Sequence, residues 1–102
     1  MVIAEIQCLP QPPGTAERRY AHVDAAIRVI EASGLTYEVG ALGTTLEGEP
    51  DEVWPLLRKV HEATIAAGAE GCVTVVKVAE SGPDRVQPTM AALTADHRDP
   101  PS

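Results

Sequence analysis

Two carboxylates stand out for their setting. Glu47 lies in Leu42-Gly43-Thr44-Thr45-Leu46-Glu47-Gly48, a short run bounded by glycines that leads straight into Glu49-Pro50-Asp51-Glu52-Val53. Glu5 lies in Val2-Ile3-Ala4-Glu5-Ile6, an otherwise apolar run. An ionised carboxylate only accepts hydrogen bonds, and it attracts positive charge. Brought together, two such groups suit a cationic or amino-bearing heterocycle. The plainer reading is a pair of acids solvated or paired across strands. A flat ring ligand also wants an aromatic stacking face. Tyr20, Tyr37 and Trp54 are the only aromatic residues, and Tyr37, on a strand beside the glycine-bounded run, is the best placed.

Other reactive residue types form no pattern. His22, His61 and His97 sit far apart, and His61-Glu62 lacks the second histidine of a zinc helix. Cys8 and Cys72 make no C-x-x-C motif, so they read as buried free thiols, with strand pairing able to bring them near each other. No metal or other cofactor is expected. Arg18 and Arg19 follow a glycine-containing loop, as in an anion site of an acylphosphatase. That reaction needs a catalytic Asn, and the sequence contains none. Pro10, Pro12 and Pro13 also remove backbone donors from the loop.

Charge narrows the partners. The 102 residues carry 15 acids against 8 bases, a formal net charge of -7. Nucleic acid requires the opposite balance. Residues Met1 to Leu9 contain Glu5 and no basic flank, so they read as neither signal peptide nor membrane span. With only two cysteines, the expectation is a cytoplasmic protein with reduced thiols.

The elements that must position these residues follow from periodicity and turn chemistry. Val2 to Leu9 alternates as a strand, with Val2, Ala4, Ile6 and Cys8 on one face. Pro10 to Gly14 is a loop. Thr15 is the expected N-cap of a first helix whose apolar stripe is Tyr20, Val23, Ile27 and Ile30, ending at Gly34. Thr36 to Gly40 and the glycine-bounded run form a hairpin, since the few residues between them cannot make a parallel crossover. Pro50 opens a second helix with its stripe at Val53, Leu57, Val60, Thr64 and Ala67. Gly71 to Ala79 is the last strand. Pro88 to Ala95 forms a short helix around Met90 and Leu93, and Asp96 to Ser102 is loose. The domain is therefore residues 1–80, with a tail at 81–102.

The order β-α-β-β-α-β predicts an α+β, ferredoxin-like fold. Its four-stranded antiparallel sheet has order 4-1-3-2, with both helices on one face. The other face has nothing in the chain to cover it. It holds Ile3, Glu5, Gln7, Glu38, Thr45, Glu47, Val73, Val75 and Lys77. A face this apolar predicts sheet-to-sheet packing on a second copy, with Lys77 a feasible partner for Glu5.

Several motifs together are similar to a known family. Ala4-Glu5, Pro10 with Gly14-Thr15, Ser33-Gly34-Leu35 with Tyr37, Gly43-Thr44-x-Leu46-Glu47-Gly48, Asp51-Glu52-Val53, His61-Glu62 and Val76-Lys77-Val78 resemble the thiamine-binding, YkoF-like family of small ferredoxin-like proteins. The resemblance spans about residues 2–80. It departs at Gln11-Pro12-Pro13, which lengthens the first loop, and at Leu42, where Met is usual. It implies sheet-to-sheet dimers assembled into homotetramers. It also implies binding of thiamine or its pyrimidine moiety without catalysis. Carried over position by position, the implied ligand contacts are Glu5, Tyr37, Thr44 and Glu47. The expectation is a non-catalytic small-molecule binder. The alternatives are a structural or metabolite-sensing oligomer and, remotely, an acyl-phosphate hydrolase.

Overall fold

The structure, a computed structural model, describes residues 1–98. Strand β1 (Val2–Gln11) is followed by helix α1 (Ala21–Ala32), strands β2 (Thr36–Val39) and β3 (Thr44–Gly48), helix α2 (Pro50–Ala66) and strand β4 (Gly71–Glu80). A short helix α3 (Met90–Thr94) and a 3-10 turn (Ala95–His97) follow. The sheet order is β2-β3-β1-β4, and every neighbouring pair is antiparallel. This is the expected α+β, ferredoxin-like sheet with β1 and β3 at its centre.

Period two decides which side chains meet the helices. Val2, Ala4, Ile6 and Leu46 face α1 and α2, and join Ala26, Ile30, Val53, Leu56, Leu57 and Val60 in one core. Burying each large aliphatic side chain contributes about 1.5–3 kcal/mol. On α2 Val53, Leu57, Val60 and Thr64 are buried at helical spacing, as the sequence predicts, whereas Ala67, also expected in that stripe, lies past the last helical residue and is exposed. Its start is a reciprocal capping box between Glu49 and Glu52, with Pro50 in the first turn.

Helix α1 differs from expectation. It begins at Ala21, and Thr15 instead closes a turn, its hydroxyl accepting from the Arg18 N–H at 3.0 Å. The carbonyl of Pro13 accepts from His22 and Val23, so the proline loop supplies the cap. Gly14 makes this possible: a side chain there would collide with the backbone of Arg18 and Arg19. The buried line is His22, Ala26 and Ile30, not one beginning at Tyr20, which is 53% exposed. His22 lies in the interior because its Nδ1 pairs with the Pro12 carbonyl at 2.7 Å.

Two boundaries also shift. β1 continues through Pro10 and Gln11, pairing with Cys72 and Gly71. β3 pairs with β1 only as far as Ile6. Beyond it β1 is an edge on that side, where a sheet tolerates a proline. After α3 the 3-10 turn Ala95–His97 takes in Asp96 and His97, where a loose tail is expected, and residues 99–102 of that expectation lie outside the described residues.

The larger correction concerns the second face of the sheet. The chain does cover part of it. Helix α3 and the residues after it lie over β1, β2 and β3, and Ile3, on that face, is only 9% exposed. What remains open lies toward β4, where Val73 is 66% exposed and Leu9 and Val75 are exposed beside it.

Candidate functional site

The β-ladders set the open face in rows. Glu38, Thr45, Glu5 and Lys77 lie side by side across β2, β3, β1 and β4. Thr36, Glu47, Ile3 and Ala79 form the next row. Glu5 and Glu47 are thus brought to one face, in adjacent rows. Tyr37 and Thr44 are not: they occupy the rows of Leu46 with Ala4 and of Ile6 with Val76, on the helix side.

Each carboxylate of the face has an identifiable partner. Glu5 lies 3.8 Å from the Lys77 ammonium, the pair expected from sequence. Glu47 has a partner that sequence reasoning did not offer. Its Oε2 accepts from the backbone N–H of Met90 at 2.8 Å, at the first turn of α3. Glu38 pairs with the Arg98 guanidinium. Two acids of the sheet face therefore hold the two ends of the segment that crosses it.

That crossing creates a cavity of about 500 Å3. Its floor is Ile3, Glu5, Thr45 and Glu38, one end is the β2–β3 loop Gly40–Gly43, and its roof is Met90, Leu93, Thr94 and Arg98. An apolar wall meets two carboxylates and one guanidinium. Such a setting takes a flat, partly apolar molecule bearing positive charge or amino donors.

A second cavity of about 420 Å3 lies on the helix side of the same loop. Ile6, Val23, Ile27 and Ile30 give it apolar walls, and Gln7, Thr44, Asp24 and Tyr20 give it polar or aromatic groups. The Arg19 guanidinium stands 5.5 Å from the centre of the Tyr20 ring. Of the four sequence-derived contacts, Glu5 lines the first cavity and Thr44 the second. Glu47 holds the roof of the first. Tyr37 lines neither, at the edge strand.

Sequence reasoning placed Glu38 and Thr45 on the open face but not in the site, and it missed Asp24 and the roof residues. The signal for Glu38 and Thr45 was the alternation that put Glu5 there. No local signal marks Met90 or Arg98, whose contacts reach 43 and 60 residues back along the chain.

The cysteines form a separate cluster. Cys8 and Cys72 both reach the Thr74 hydroxyl, at 3.6 and 3.5 Å, and His61 Nδ1 lies 2.5 Å from the same oxygen. Burial pushes the Cys8 thiol above its ordinary pKa, against the lowering effect of the Thr74 hydrogen bond. Among the described residues no group of three or more His, Cys, Asp or Glu is arranged to hold a metal ion. Nor is any of their helices long and apolar enough to cross a membrane.

Comparison with known proteins agrees with the motif resemblance. The model of a family described as thiamine-binding protein matches residues 4–94. A UPF0045 protein of Clostridium perfringens is 36% identical over 73 residues, covering 72% of this chain and 75% of that protein. A UPF0045 protein of Methanothermobacter thermautotrophicus is 31% identical over 80 residues, covering 76% of this chain and 79% of that protein. A solved structure from Bacillus cereus, described as a domain of unknown function DUF77, is 35% identical with a TM-score of 0.83. That likeness covers 96% of this chain and 90% of the other.

Proposed function

This chain belongs to the thiamine-binding protein family, and we propose that it binds thiamine or a thiamine-related pyrimidine, without catalysis, as a homo-oligomer. The observation that carries the reading is the sheet-face cavity, where Glu5 and Glu38 stand beside Ile3, Met90 and Leu93. Thiamine offers what such a cavity takes. Its thiazolium ring carries a positive charge, its aminopyrimidine donates hydrogen bonds, and both rings are flat. A carboxylate answers the charge or the amino group, and the aliphatic wall answers the ring faces.

In this reading Glu5 touches the ligand directly. Glu47 acts through α3, as the group that positions the roof. Thr44 belongs to the reading only through the second cavity, and Tyr37 flanks that side of the sheet. A binding role suits a cavity whose carboxylates are each engaged by a cation, Glu5 by Lys77 and Glu38 by Arg98.

Self-association rests on the part of the sheet face that α3 leaves bare. Leu9, Val73 and Val75 are all exposed there, and covering them with a second copy removes them from water.

Titration calorimetry tests the ligand. Heat of binding is expected with thiamine, and it should be largely lost in Glu5→Gln. No heat from thiamine, its phosphates or hydroxymethylpyrimidine at millimolar concentration would overturn the reading, in favour of a structural or metabolite-sensing oligomer.

A further inference from the structure

The segment over the sheet face is held by charge at the point where the cavity opens. Glu47 accepts the Met90 N–H at one end, and Glu38 meets the Arg98 guanidinium at the other. Arg98 is also tied to its own segment, its Nε donating to the Thr94 hydroxyl at 3.0 Å. Thr94 in turn donates to the Met90 carbonyl at 2.9 Å. Arg98 therefore couples the state of Glu38 to the seat of the whole segment.

Among the described residues that line the cavity, Arg98 is the one cationic side chain, and it faces two carboxylates. Lys77, which accompanies Glu5, is 80% exposed and lies outside the lining. The Arg98–Glu38 pair is about half exposed on both sides, and such pairs contribute little in water and are screened by salt. A flat monocation entering this space competes for Glu38 with a partner that is weakly held. A neutral molecule without an amino donor offers Glu38 nothing in exchange for the guanidinium.

We propose that Arg98 is a specificity residue of the sheet-face cavity: it stands in for the ligand's positive charge on Glu38, and a cationic ligand displaces it and loosens residues 94–98 from the sheet. The inference rests on the reading of this cavity as a cation site, and goes beyond it by naming what the cation replaces. The Glu47–Met90 bond is not part of the exchange, so the segment loosens at one end and stays anchored at the other.

The test uses the full chain with thiamine as probe, in two measurements. In calorimetry Arg98→Gln should bind thiamine about threefold to fivefold more tightly than the parent, because the competing cation is gone. Lys77→Gln should change affinity by less. In amide hydrogen exchange, saturating thiamine should speed exchange at residues 95–98 of the parent and leave the Met90 amide protected. Unchanged or weaker binding by Arg98→Gln, or slower exchange at 95–98 with thiamine, overturns the displacement alone. The exchange measurement needs no variant, so a poorly folding Arg98→Gln leaves the proposal open to refutation. Absence of thiamine binding by the parent overturns the cation-site reading, and the displacement with it.

Discussion

Glu47 shows how a side chain's role changes with its neighbours. On an isolated sheet it is a solvated acid. Here its carboxylate accepts the Met90 N–H, so it holds α3 against the sheet. A hydrogen bond to a charged group contributes roughly 1.5–3 kcal/mol. Glu47→Ala should free α3, speed amide exchange at Met90–Thr94 by at least tenfold and expose Ile3. Glu47→Gln keeps an acceptor oxygen and should retain most of the protection. Equal protection in the parent and the Ala variant would remove Glu47 from this role.

Cys8 gives a second prediction at the same scale. Burial raises its pKa, so the protonated thiol persists to higher pH in the folded chain than in the unfolded one. The folded state then binds more protons than the unfolded state across the alkaline thiol range. Stability attributable to Cys8 is complete below that range and falls as the pH climbs through it. Alkylation followed by peptide mass spectrometry at mildly alkaline pH should find Cys8 labelled more slowly than in the denatured chain. Matching rates would contradict the burial argument.

The elements separate what was legible in the sequence from what was not. The strands and α2 were readable because their periods are local: Val2, Ala4 and Ile6 alternate, and Val53, Leu57 and Val60 repeat at helical spacing. Gly34 adopts φ +80° and ends α1 as a left-handed residue, which its sequence position announced. The start of α1 was not readable. Its cap is the Pro13 carbonyl, a group that every residue carries and no composition marks. The seat of α3 was hidden for a related reason, since Glu47 and Arg98 are ordinary surface types until a fold brings them to their partners. As for the site, alternation placed Glu5 and Glu47 on one face. It also placed Tyr37 and Thr44 on the other, and the motif resemblance gathered all four regardless of face.

The proline loop offers a test at this scale. Gly14→Ala puts a methyl group against the carbonyls of Arg18 and Arg19, which are backbone and cannot swing aside. Overpacking of this kind costs about 1–3 kcal/mol. The urea midpoint should fall accordingly, with the loss shared by α1, because the same loop supplies its cap. Leu46→Ala, in the fully buried centre of β3, should cost about 2–5 kcal/mol. A Gly14→Ala midpoint equal to the parent's would show that the loop opens without penalty.

At the scale of the molecule, one sheet divides two kinds of surface. The helix side is closed by a single aliphatic core. The other side is closed by α3 over β1, β2 and β3 and bare toward β4. If a second copy covers the bare part, the double substitution Val73→Lys, Val75→Lys should shift the protein toward monomer in sedimentation velocity. A parent chain that sediments as a clean monomer at micromolar concentration would sink the homo-oligomer proposal.

The ladder between β1 and β4 has a consequence for the order in which the molecule can assemble. It joins Val2 to Glu80 and Gln11 to Gly71, while β3 offers β1 a partner only from Val2 to Ile6. Until Gly71–Glu80 is in place, the stretch from Gln7 to Gln11 has no strand beside it, and Cys8 has no Thr74. Pairings this distant along the chain must close a long loop before they return any stabilisation, and proteins dominated by them fold slowly for their size. Refolding should therefore be governed by the arrival of the last strand. A growing chain on the ribosome would carry half of its first strand unpaired until that strand emerged.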